Sequence, residues 1–167
     1  LGSDISGNFY IYDKDTKNIF RWMKTAKRFT REEFIADMSA VSDFGEKYCH
    51  NTKNSKGYIY FIDMKAAKIA EVDVVAKTLR NVDLSNEFTS FDKVSVDIDS
   101  DRLIILGNMT EGKRLRIYSG GGATKDPSVP VEFEILDVEF KGGKANYLAK
   151  SGTDLIREFF EEKADGT

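Results

Sequence analysis

Asp92-Lys-Val-Ser-Val-Asp-Ile-Asp-Ser-Asp-Arg-Leu-Ile-Ile-Leu-Gly-Asn-Met-Thr-Glu-Gly-Lys-Arg-Leu-Arg-Ile-Tyr-Ser119 reads as three antiparallel strands joined by tight turns. Val94, Val96 and Ile98 alternate with Ser95, Asp97 and Asp99, which puts apolar groups on one face and polar groups on the other. Ser100-Asp101 and Thr110-Glu111-Gly112 supply the turns. Leu103 to Leu106 is apolar on both faces and belongs in the middle of a sheet, while Leu115 and Ile117 alternate with Arg114, Arg116 and Tyr118.

Outward from this meander, further strand pairs are predicted. Phe9 to Tyr12 and Ile19 to Met23 flank a polar turn, Tyr58 to Ile62 pairs with a half-buried Lys68 to Val74, and Val131 to Phe140 pairs with Ala145 to Lys150. Alternation slips at Ile135-Leu136, as a bulge requires. Helices are expected between these groups. Thr30 and Glu33 form a capping box, Phe29 and Phe34 a hydrophobic staple, and Phe34, Met38, Val41 and Tyr48 recur at helical spacing. Asp73 can cap a short helix carrying Val75, Leu79 and Val82, and Ser151 or Thr153 a last one carrying Leu155, Ile156, Phe159 and Phe160 to about Lys163. The expected fold is therefore α+β: a mainly antiparallel sheet of hairpins and one meander with two or three helices packed on it, in a single domain over 1–167.

Composition bounds the function. With 28 acids against 25 bases and a net charge of −3, the overall field does not favour coating nucleic acid. One Cys permits no disulfide within the chain, and no apolar run approaches the roughly 18 residues of a membrane-spanning helix. A cytoplasmic location is expected, or the host-cell cytoplasm for a viral protein. Leu1-Gly2-Ser3 reads as a cloning remnant, so secretion stays open.

Motifs that could carry chemistry break down on spacing. Asp97-x-Asp99-x-Asp101 begins like a calcium loop, but Arg102 stands where glycine is needed and Asn108 where glutamate is needed. Asp13-Lys-Asp15 reads as a turn for the same reason. Gly120-Gly-Gly122 fits no phosphate-loop pattern, and the stretch to Pro130 reads as the longest loop. Cys49 and His50 are adjacent and lack the facing geometry of a catalytic pair, so an ordinary helix end is expected there. Glu132, Glu134, Asp137 and Glu139 read as a solvated strand face. Asn108-Met-Thr110 is a formal glycosylation acceptor. No catalytic, cofactor-binding or metal-ligating residue is nominated.

The run from Gly57 to Pro130 combines strands, a short helix at Val75 to Val82, three hairpin-linked strands and a loop carrying Asp126-Pro-Ser-Val-Pro130. In that order it resembles half of a phage-type DNA sliding clamp. The resemblance implies a ring that encircles DNA and tethers a polymerase, with helix bases such as Lys77 and Arg80 facing the duplex. The chain is shorter than a clamp subunit, having room for one such unit.

The sequence thus says little about activity beyond a soluble domain. The first expectation is a non-catalytic binding or assembly module that meets a protein partner or a second copy of itself through exposed aromatics, Tyr10, Tyr12 and Trp22, or through edge strands. The second is a DNA-associated accessory protein, clamp-like or using the basic run Lys24, Lys27, Arg28 and Arg31, which Glu32, Glu33 and Asp37 offset. The third is an enzyme using a carboxylate in an aromatic-lined pocket.

Overall fold

The structure, a computed structural model, describes residues 2–3, 7–13, 15–25, 28–37, 49–50, 58–97, 102–119, 123–125, 133–141 and 144–160. Four antiparallel sheets follow one another along the chain. The first holds β1 (Gly2–Ser3), β2 (Phe9–Asp13), β3 (Asn18–Lys24) and β4 (Phe29–Asp37), and the second β5 (Cys49–His50), β6 (Tyr58–Asp63), β7 (Lys68–Asp73) and β8 (Thr78–Asp83). The third holds β9 (Ser90–Val96), β10 (Leu103–Met109), β11 (Gly112–Ser119) and β12 (Ala123–Lys125). The fourth holds β13 (Glu134–Lys141), β14 (Lys144–Ser151) and β15 (Asp154–Phe160). Within each sheet, strands adjacent in sequence are adjacent in space, so every sheet is a simple meander.

No helix occurs among the described residues, and the fold is all-β rather than α+β. None of the three expected helices occurs among the described residues. Phe29–Asp37 is β4, whose Thr30 lies opposite Met23 and whose Phe34 lies opposite Phe20; Met38 to Tyr48 lie outside the described residues. Val75 to Val82 is a hairpin turn followed by β8, and Leu155 to Phe160 lie in β15. The side-chain oxygen that caps a helix also closes a hairpin, because both present free backbone N–H groups two and three residues on. Asp73 Oδ1 accepts from Val75 N at 2.8 Å and Ala76 N at 2.9 Å.

The same turn recurs. Asp13 Oδ1 accepts from Asp15 N at 3.0 Å and Thr16 N at 3.3 Å, and Asp63 Oδ1 from Lys65 N at 3.0 Å and Ala66 N at 2.9 Å. Four residues after each aspartate the backbone turns left-handed, at Lys17 (φ 55°), Ala67 (φ 53°) and Lys77 (φ 57°). A helical turn ended by one left-handed residue gives a hairpin loop the twist its strands require. Asp83 Oδ1 likewise accepts from Ser85 N at 3.0 Å as the chain leaves β8.

The described chain divides into two compact units, Leu1–Glu87 and Phe88–Thr167. In the first, Tyr10 and Ile19 pack with Ile59, Phe61, Ala70, Val72 and Val74, joining the faces of its two sheets. Both faces of β7 are buried, where one wet face was expected: Ile69 and Ala70 are each 0% exposed, and Glu71 is buried with the Arg80 guanidinium 2.7 Å away.

In the second unit, Ile104, Leu106, Leu115 and Ile117 of the third sheet pack on Val138, Ala145, Tyr147 and Ala149 of the fourth. The meander expected at 92–119 is present, with β10 between β9 and β11 and Leu103 to Leu106 buried. Phe140 N donates to Ser95 Oγ at 2.9 Å, pinning β13 to β9. The β13–β14 register shifts between Ile135 and Asp137, the bulge expected there. Ala123–Lys125, expected in a loop, extends the third sheet as β12.

Candidate functional site

The fourth sheet carries an open groove of about 440 Å³, lined by Asp137, Val138, Glu139, Asn146, Tyr147, Leu148 and Arg157. Register explains the gathering. Asp137, Leu148 and Arg157 lie opposite one another across three strands, and Glu139 lies opposite Asn146 two residues along, so these side chains share one face. Val138, Tyr147 and Glu158 form the row between them on the other face, where Val138 and Tyr147 join the core shared with the third sheet.

Several charges of the groove are answered within the protein. The Arg157 guanidinium pairs with Glu139, reaching across β14, and Lys93 Nζ lies 3.7 Å from Asp137 Oδ1. The Tyr147 hydroxyl donates to Glu158 Oε2 at 2.6 Å. Burial, then that bond to a carboxylate, pushes the Tyr147 phenol up to about 12, so it stays protonated at neutral pH. A neutral phenol offers a hydrogen bond, which Glu158 accepts here. Among the described residues no group of three or more His, Cys, Asp or Glu side chains could hold a metal ion.

The residues nominated from sequence do not assemble as one surface. Tyr10 is 1% exposed inside the core, so it offers no contact to a partner. Tyr12 is half-buried, its ring edge-on to Phe61 with centroids 6.3 Å apart. Trp22 is half-buried on β3, opposite Phe9 and Arg31. Lys24 and Arg28 are exposed where β3 turns into β4, a loop held by Thr25, whose Oγ1 donates to Arg28 O at 2.6 Å. Lys27 lies outside the described residues.

Other expectations resolve locally. Asp97 is 2% exposed and bound to Arg102 at 3.1 Å, and the Arg102 guanidinium lies 5.3 Å above the Phe140 ring; Asp99 and Asp101 lie outside the described residues. Cys49 and His50 form β5, opposite Asp63 and Ile62, rather than a helix end. Asn108 Nδ2 donates to Asp92 Oδ1 at 2.7 Å and Ser90 Oγ at 3.2 Å, so both amide protons of the sugar-acceptor motif are engaged. Lys77, placed on a DNA-facing helix by the clamp resemblance, sits in the β7–β8 turn, and Arg80 on β8 binds Glu71. The groove was missed because its third wall, Arg157, lay in a segment read as helix. Its one sequence signal is the alternation of Asp137 and Glu139.

Neither a family model nor a curated protein matches this chain. A solved structure does. It is a streptogramin B lyase, with a TM-score of 0.56 and 13% identity, over 92% of this chain and 51% of that one. The chain thus spans about half the length of the lyase chain. At that identity the likeness is one of fold. Among the described residues the fold on this side of the likeness is three four-stranded antiparallel meanders and one of three strands. Among the described residues no helix is long and apolar enough to cross a membrane.

Proposed function

We propose that this chain is a non-catalytic binding or assembly module that works through protein–protein contact, with the groove-bearing face of β13–β15 as its contact surface. One observation carries the reading: Leu155, on the same face as Leu148 and Arg157, is 68% exposed within a regular strand. Covering a leucine exposed to that degree is worth about 1–2 kcal/mol. Arg157 and Glu139 pair on this face while both side chains stay half exposed, so each remains within a partner's reach. A cytoplasmic location accompanies this reading and is supported by a chain with one cysteine, which needs no oxidising compartment. The likeness to the lyase supports the meander scaffold and brings no activity with it.

A peptide-display selection against the immobilised chain tests the reading, with Leu155→Glu as counter-screen and circular dichroism to show that the variant folds. Binders that lose at least tenfold in affinity on the variant are expected. A selected pool that binds parent and variant equally overturns the proposal.

A further inference from the structure

We infer that β15 is a docking edge for an added antiparallel strand from a different polypeptide, one that sets an acid opposite Arg157, a base opposite Glu158 and an apolar residue opposite Leu155. The inference rests on the binding-module reading and names its mode. A sheet edge exposes a row of backbone donors and acceptors that another extended chain can pair with, and proteins blunt such edges by shortness, register breaks or polar cover. Among the described residues, β1, β5 and β12 are two or three residues long. The edges β4, β9 and β13 each carry a register shift against their neighbour. On β8, which is regular, the exposed residues are Thr78, Asn81 and Asp83, all polar.

β15 has none of these protections in full. It is seven residues long, pairs with β14 from Ser151↔Asp154 to Ala145↔Phe160 without a shift, and carries Leu155 at 68% exposure.

The charges select the occupant. A second copy pairing β15 with β15 about a two-fold axis normal to the sheet must place residues of the same face opposite each other. Among registers that pair five or more residues of β15, centring on Ile156 sets Asp154 against Glu158, centring on Arg157 sets two arginines together, and centring on Glu158 two glutamates. Like charges directly opposite are destabilising, so self-pairing is disfavoured and a heterologous strand is favoured. Read from its own N-terminus, that strand presents base, acid, apolar, apolar and base against Glu158, Arg157, Ile156, Leu155 and Asp154. Recognition combines main-chain hydrogen bonds with side-chain matching at alternate positions.

The test uses the full chain and a short synthetic peptide of that pattern. Fluorescence anisotropy should show saturable binding, and amide exchange across 154–160 should slow when the peptide is added. N-methylation of peptide amides facing β15 should weaken binding about tenfold or more, while N-methylation of the amides facing away should leave it nearly unchanged. Swapping the peptide acid that lies opposite Arg157 for a base should weaken binding to the parent and restore it to Arg157→Glu. Binding that depends on Leu155 yet ignores the position of N-methylation overturns strand addition and leaves the module reading standing. Display binders sensitive to Leu155→Glu, with no binding of the patterned peptide, do the same. Amides of β15 already protected in the free chain, whether at all concentrations or through a concentration-dependent dimer, show the edge occupied by the chain itself or by a copy and overturn the proposal.

Discussion

Replacing Lys77 with glycine distinguishes the hairpin from the helix that Asp73-Val-Val-Ala-Lys-Thr78 suggests, because the two structures give the substitution opposite signs. In a helix interior, glycine costs roughly 0.5–1 kcal/mol relative to a good helix former. In the hairpin, Lys77 holds φ at 57°, a conformation that costs a residue with a Cβ roughly 1–2 kcal/mol. Glycine relieves that strain and returns about 0.4–1 kcal/mol to the unfolded chain as added freedom. The net expectation is a gain of about 0.5–1 kcal/mol, a rise of roughly 1–4 °C in melting temperature for a chain of this size. Thermal and urea melts followed by circular dichroism read it. Asp73→Ala does not discriminate, since the carboxylate that holds Val75 N and Ala76 N here would cap the helix there. Lys17→Gly repeats the test at φ 55° in the β2–β3 turn. A Lys77→Gly chain less stable by half a kcal/mol or more, roughly the helix penalty, would refute the turn and the all-β reading of this segment with it.

Gly107→Ala places a Cβ 2.6 Å from Phe88 Cδ1 and 2.8 Å from the Ser90 carbonyl oxygen, which is backbone and cannot rotate away; a loss of about 2–3 kcal/mol in a urea melt is expected. Arg102→Met leaves the Asp97 carboxylate buried without its guanidinium and should cost roughly 3 kcal/mol by the same measurement. Because the Tyr147 phenol is raised from 10.0 to about 12 by burial and then by Glu158, the folded state favours the proton. That contribution is complete below pH 10 and lost as the pH climbs towards 12, so alkaline melts should steepen there, and Tyr147→Phe should remove both the added slope and one late-ionising phenolate from the absorbance titration. Asp83 runs the other way. Its carboxyl is held below the usual aspartate value of 3.8 by its hydrogen bonds with Ser85 and then by Lys68, so its stabilising effect is present above that pH and fades as the pH falls below it, which amide exchange at Ser85 in acid should detect.

What the sequence discloses is pairing, and what it conceals is the identity of the segments between pairs. Val94 and Val96 against Asp97, and the unbroken Leu103 to Leu106, announce strands because period-two alternation and a doubly apolar run have few other uses. Ile135-Leu136 betrays its bulge because alternation cannot slip otherwise in a paired strand. Asp73, by contrast, carries the same local chemistry into either structure, and only the non-local pairing of Val72 with Leu79 decides between them. Leu155 and Ile156 fit one helical stripe as well as they fit the two faces of a strand, and only the pairing with Lys150 and Ala149 decides. The error there hid the groove, since Arg157 meets Glu139 only when β15 lies against β14. Tyr10 shows the complementary failure: an aromatic residue in a polar neighbourhood reads as surface until a second sheet covers it, and its packing partners Ile59 and Phe61 lie some fifty residues away.

The extra residue in β13 ties these threads together. Before the bulge, Glu134 lies opposite Lys150 and Ile135 opposite Ala149; after it, Asp137 lies opposite Leu148 and Val138 opposite Tyr147. Without the inserted position, Leu136 would take the place opposite Leu148, and Asp137 would fall opposite Tyr147, facing Ile104, Leu106 and Ile117 of the core. A shift of one residue sends every later side chain of a strand to the other face. An unpaired carboxylate buried there would cost several kcal/mol, and Val138 would be lost to solvent. The bulge therefore keeps Val138 and Phe140 inward and Asp137 and Glu139 outward, beside Arg157. It also interrupts the edge that β13 presents, which leaves β15, on the opposite side of the same sheet, as the edge with an intact ladder and an uncovered leucine.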